Sequence, residues 1–211
     1  TYYAMLAEKE IFGEHHFNFE LYDMAEQIIR AQDNDKEPIL SAKASSPTFY
    51  KKGAWALHYL SEKIGNDKFN TAVKNYLTNY QYKNVETEDF LREINKISDF
   101  NTTLFKENWL ESNVFPTKEA FEILAQNTEI QQYFKIGSYY SKSFKDKKDD
   151  FIKILNSEAY INLKEEVIYQ LGKESESNLL EFFSIISNSK DVNLRQAFVR
   201  TLGKVTSNYK E

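Results

Sequence analysis

Apolar residues recur three and four positions apart along nearly the whole chain, the spacing of one buried face on an α-helix. Tyr2 to Phe12 carries the pattern and stops near Gly13. His16 to about Ala31 resumes it, with Phe17, Leu21, Met24, Ile28 and Ile29 as the apolar positions. Gln32 to Thr48 breaks it: this polar stretch contains Pro38 and Pro47 and is long enough to be a functional loop. A further helix is predicted beyond it, capped by Ser46, with Pro47 in its first turn. Its stripe is Gly53, Ala54, Leu57, Leu60 and Ile64, and it ends near Gly65. Tyr50 stands at the mouth of that helix, on the face of the small residues Gly53 and Ala54. Asp67 to Tyr82 reads as another helix, with Phe69, Val73, Tyr76, Leu77 and Tyr80 inward. Thr87 is placed to cap the next, which runs through Phe90, Leu91, Ile94 and Ile97, and Glu88 and Asp89 suit its positive end. Leu104 to Leu110 predicts a short helix around Trp109, and Pro116 interrupts the chain shortly after it.

Beyond Pro116 the texture changes. Residues 151–173 and 182–204 align without a gap at an offset of 31. Phe151, Ile154, Asn162, Leu163, Leu171, Gly172 and Lys173 recur as Phe182, Ile185, Asn193, Leu194, Leu202, Gly203 and Lys204. Each unit predicts two short helices, the second closing on Leu-Gly-Lys, where the glycine suits a left-handed cap. This is a signature of HEAT or armadillo type, whose units bury a core only by stacking. Two chance-similar helical hairpins are the alternative. Phe144 to Asp150, with lysine and aspartate interleaved, reads as a solvated mixed-charge connection and not as a nucleic-acid patch.

Composition narrows the function classes. A net charge of -5 over 211 residues leaves no electrostatic footprint for nucleic acid. The lysines are scattered among glutamates, which argues against a polybasic membrane patch. No stretch is apolar for long enough to span a bilayer. The absence of cysteine removes disulfides and thiolate metal sites and leaves the redox compartment open. A soluble protein is expected, cytoplasmic or periplasmic/secreted; the opening Thr1-Tyr2-Tyr3-Ala4 lacks an initiator methionine and reads as the inside of a helix, a piece of something longer.

Tyr50-Lys51-Lys52-Gly53-Ala54, a Tyr-x-Lys-Gly-Ala step into an apolar helix, resembles the zinc aminopeptidases of the aminopeptidase N and leukotriene hydrolase family, the gluzincins. The resemblance is collinear over residues 1–116. It includes Thr1 to Ala4, Gly65-Asn66-Asp67-Lys68-Phe69, Asn75-Tyr76-Leu77, Tyr82-Lys83-Asn84, Thr87-Glu88-Asp89-Phe90, and Trp109-Leu110 running to Pro116. It implies an all-α chain: residues 1–116 as the helical end of a thermolysin-like catalytic domain, and residues 117–211 as a HEAT/armadillo-like repeat domain. It also implies that the zinc-binding segment lies before Thr1, so that zinc belongs to the parent protein and this chain alone is inert. In such an enzyme zinc-activated water attacks a peptide carbonyl to release N-terminal residues, and Tyr50 stabilises the oxyanion. A phenol, with pKa ~10, suits that task as a neutral donor.

The remaining candidates are weighed against plainer roles. No His-Glu-x-x-His is present; the histidines are His15, His16 and His58. His15 and His16 are adjacent, point to different faces of a helix, and read as solvent-facing helix-start residues. His58 is expected to be partly buried and hydrogen-bonded, and Trp55 and Trp109 to be core anchors. Lys52 is expected at the surface or in packing, with nothing to suggest a desolvated amine. The 32–48 loop could border a substrate cleft or be a variable surface connection. The alternative to a peptidase is a non-catalytic helical scaffold or pseudo-peptidase serving protein–protein interaction.

Overall fold

A computed structural model describes residues 1–205, which form two compact units, Thr1–Leu124 and Ala125–Glu211 in chain extent. Every regular element among the described residues is a helix, so the chain is all-α. The last six positions of the expected repeat domain and the side chains of residues 203–205 lie outside the described residues; the last helix runs on through Gly203 to Val205, so the expected close on Leu-Gly-Lys is not met there.

The first unit opens with α1 (Tyr2–Ala31), which breaks at Gly13 where φ is 89° and ψ 176°. α2 (Gly53–Ile64) ends at Gly65, again at a positive φ of 87°, which a side chain would strain. α3 (Asn66–Asn79) packs between α2 and α4 (Thr87–Asn95). α5 (Thr102–Phe105) runs into a π-helical segment, Lys106–Glu111, and α6 (Thr117–Leu124) closes the unit against α1. Trp55 and Trp109 are buried, and Phe115 packs edge-on against both rings at 5.9 Å. The Trp55 indole donates to the Leu21 carbonyl at 3.0 Å, tying α2 to α1.

Two expected boundaries are corrected. Glu86, not Thr87, caps α4, because its side chain accepts from the third residue of the helix while Asp89 reaches back to the Glu86 N–H at 3.0 Å. α3 stops at Asn79, three residues short of Tyr82, which takes a φ of 62°.

The second unit holds α7 (Thr128–Gly137), α8 (Phe144–Leu155), α9 (Ile161–Leu171), α10 (Glu176–Glu181), α11 (Phe183–Ser187) and α12 (Val192–Val205). Phe144 to Asp150 is therefore the start of α8 and not a connection. The physical reason is that Phe144, Lys147 and Phe151 share one face, and Lys147 lays its aliphatic stem into the core. Its buried ammonium meets Glu174 at 2.6 Å. Core positions follow the 31-residue offset in part: Phe151 and Phe182, Leu155 and Ile186, Leu163 and Leu194, and Val167 and Phe198 are all buried in one cluster, whereas Ile168 is buried and Val199 exposed. α9 packs on α12.

Gly172 departs from the left-handed cap expected of it, with φ -64° and ψ -6°. Its requirement is steric. A Cβ there would stand 2.6 Å from Thr201 Cγ2 on α12. Thr201 has little freedom to turn away, since its hydroxyl donates to the Ala197 carbonyl at 3.0 Å. Gly172→Ala is expected to cost about 1–3 kcal/mol by overpacking, and Thr201→Ser, which removes that methyl, to recover much of the loss; urea unfolding of the single and double variants measures both.

Candidate functional site

Tyr50 lies on a π-helical turn, Pro47–Lys52, that leads directly into α2. The wider i→i+5 register of such a turn is often found at functional sites. The turn is started by Ser45 and not by Ser46: the Ser45 hydroxyl accepts from the Thr48 N–H at 3.3 Å, whereas Ser46 is already helical and makes no side-chain cap. Ser45 takes over because Asp35 holds it. The Asp35 carboxylate accepts from the Ser45 hydroxyl, from the Thr48 hydroxyl at 2.5 Å and from the Glu37 N–H at 3.3 Å. Those hydroxyl donors keep its pKa below the usual carboxylate range. The polar 32–48 stretch is thus folded back on the turn it precedes.

Tyr50 is 55% exposed, and its ring meets that of Phe49 edge-on at 5.2 Å. Its expected face is corrected in part. Ala54 is buried in the core, while a Cβ on Gly53 would meet nothing within 4 Å. Tyr50 thus stands exposed at the turn, although Ala54, four residues further on, is buried.

Lys52 reverses expectation. It is 1% exposed, and its Nζ donates to the Ser112 carbonyl at 2.6 Å. Burial drives its pKa down to about 8, opposed in part by the Asp35 charge. Sequence spacing gives no sign of this, because the acceptor is a backbone carbonyl 60 residues away. Ser112 comes directly after the second π-helical segment, so the ammonium sits at the carbonyl end of a helix. The strap that begins there is held from its other end as well: the Phe115 N–H donates to Gln32 Oε1 at 2.8 Å.

The histidines do not converge. His15 is exposed, and His16 Nε2 lies 3.3 Å from Glu8. His58 is buried more deeply than expected, among the rings of Tyr2, Phe17 and Trp55. Among the described residues no group of three or more His, Cys, Asp or Glu side chains is placed to hold a metal ion. The donors among the described residues therefore do not fit a zinc site. No helix among the described residues is long and apolar enough to cross a membrane.

Residues 11–109 match the peptidase family M1 domain, a span that includes Tyr50, Lys52 and both tryptophans. Just under half of the chain is thus similar to a segment of that domain. It is 27% identical to aminopeptidase N of Lactococcus lactis subsp. lactis over 97 residues, 46% of this chain and 11% of that protein. It is 28% identical to aminopeptidase A of Gloydius brevicauda over 85 residues, 40% of this chain and 9% of that protein. The aligned part is about a tenth of either relative's length. No solved structure matches.

His58 supplies a pH test of the first unit. Burial, then the nearby Lys9 charge, lower its pKa from 6.5 to about 4, so the folded state holds it neutral. The unfolded chain takes up a proton below pH 6.5 and the folded chain does not until about pH 4, so stability falls across that window. The loss should be on the order of 3 kcal/mol. Urea unfolding between pH 7 and 4 should show it, and a His58→Phe variant should show a correspondingly shallower decline.

Proposed function

We propose that this chain is part of a zinc aminopeptidase and contributes Tyr50 as the hydrogen-bond donor to the oxyanion formed when a peptide carbonyl is attacked. The observation that carries the reading is an exposed phenol on a π-turn whose Thr48 and Lys52 are both buried, within the span matched to the M1 domain. A donor preorganised in this way does not have to be ordered at the moment of reaction, and that is where such donors gain their effect. Tyrosine donates without needing to ionise, so it can act across the neutral range.

Peptides with a free N-terminus are the proposed substrates. Zinc would take its donors from residues outside this chain, and these 211 residues alone are proposed to be inert. Residues 1–116 are read as the helical end of the catalytic domain, and residues 117–211 as a HEAT-like helical domain. The recurrence of buried positions at the 31-residue offset supports the second part.

Tyr50→Phe, made in the full gene product, is expected to lower kcat on an aminoacyl amide by about 10²–10³-fold. KM and bound zinc should be nearly unchanged, since the ring and its packing on Phe49 are retained. Steady-state kinetics with metal analysis of the purified variant checks this. Undiminished turnover would remove Tyr50 from the reaction and favour the helical-scaffold reading.

A further inference from the structure

The peptidase reading gives no work to Lys52, yet this side chain is the most deeply buried of its turn. An ammonium taken out of water is held only where a specific contact offsets the loss of solvent. Here the contact is the Ser112 carbonyl, at 2.6 Å. Around it, one short strap joins both ends of the 32–52 stretch. Ser112 receives Lys52 at the C-terminal end of that stretch, and Phe115 donates its N–H to Gln32 at the N-terminal end, at 2.8 Å. The Phe115 ring is in turn fixed between Trp55 and Trp109. Lys52 and Tyr50 lie two residues apart, which puts their side chains on nearly opposite sides of a helical turn. Anchoring one inward therefore sets the direction of the other outward.

We infer that Lys52 is a positioning residue for Tyr50: its bond to the Ser112 carbonyl locks the Pro47–Lys52 turn against the Ser112–Phe115 strap and so fixes where the phenol points. This rests on the reading of Tyr50 as the oxyanion donor. Buried and bonded to the Ser112 carbonyl, Lys52 acts through the rigidity of the turn. Displacing a reacting or stabilising group by about 1 Å can cost on the order of 100-fold in rate, so loosening the turn should be felt in kcat and not in substrate binding.

The test is a double-mutant cycle in the full gene product with Lys52→Met, which keeps an unbranched stem and removes the ammonium, and Tyr50→Phe. Lys52→Met alone should lower kcat by about 10- to 100-fold with KM little changed and zinc retained. In the Tyr50→Phe background the same change should produce no further fall, because the group it positions is already gone. A merely structural loss would lower turnover by the same factor in both backgrounds, and that result overturns the inference. Wild-type kcat from a folded Lys52→Met protein overturns it too. If Tyr50→Phe alone leaves kcat intact, the donor reading fails and this inference falls with it, a pattern distinct from the other two. Should Lys52→Met not fold, Gln32→Met loosens the strap from its other end, and its cycle with Tyr50→Phe carries the same prediction at smaller amplitude. Additive effects in that cycle count against the inference.

Discussion

Taking the Lys52 ammonium out of water sets the terms for the first unit. Desolvation of such an ion costs on the order of several kcal/mol, and burial lowers its pKa to about 8. The charge is accommodated by a carbonyl at a helix end and by the nearby Asp35 carboxylate, so its placement demands that three separated stretches of chain meet. The 32–48 loop must fold back to bring Asp35 near. The Lys106–Glu111 segment must end where it does to offer Ser112. The Pro47–Lys52 turn must keep a register that sends position 52 inward.

Once these demands are met, the exposure of Tyr50 is a consequence. Tyrosine is found both inside and outside a fold, and in this chain Tyr2 and Tyr139 are buried while Tyr50 and Tyr82 are exposed. Thr48 and Lys52 already occupy the inward positions on either side of Tyr50, so position 50 between them faces outward. The apolar burial that stabilises this part of the unit comes instead from Trp55, Trp109 and Phe115, which hold α1, α2 and the strap together. Exposure and packing are thus divided between neighbouring residues of one segment.

Legibility in the amino-acid sequence divides along the same physical line. Helical periodicity, the breaks at Gly13 and Gly65, and the two buried tryptophans depend on local spacing and residue type, and all are legible. So is the Tyr50 segment as a family signature, although its role remains a proposal. Burial of Lys52 is not legible, because its partner is a main-chain oxygen, which every residue has. Ser45 displaces Ser46 as the cap through a carboxylate ten residues away in sequence. Lys147 escapes notice for a related reason: a charge run looks solvated until a distant Glu174 turns one of its members inward.

Gly172 shows how a correct pattern can carry the wrong cause. Leu-Gly-Lys at the end of a helix suggests a glycine chosen for a left-handed backbone, yet the residue stays right-handed. What excludes a side chain there is the methyl of Thr201, 2.6 Å from where a Cβ would stand. Position 201 is position 170 advanced by the 31-residue offset, and Gln170 and Thr201 are both buried polar residues bonded to main-chain carbonyls. The second helix of each hairpin therefore supplies both a core face and a polar contact to backbone. In α9 the bond goes to Ile136 on α7, at 2.7 Å; in α12 it goes to the helix's own Ala197. The small residue at 172 thus answers to the close approach of Thr201 on α12.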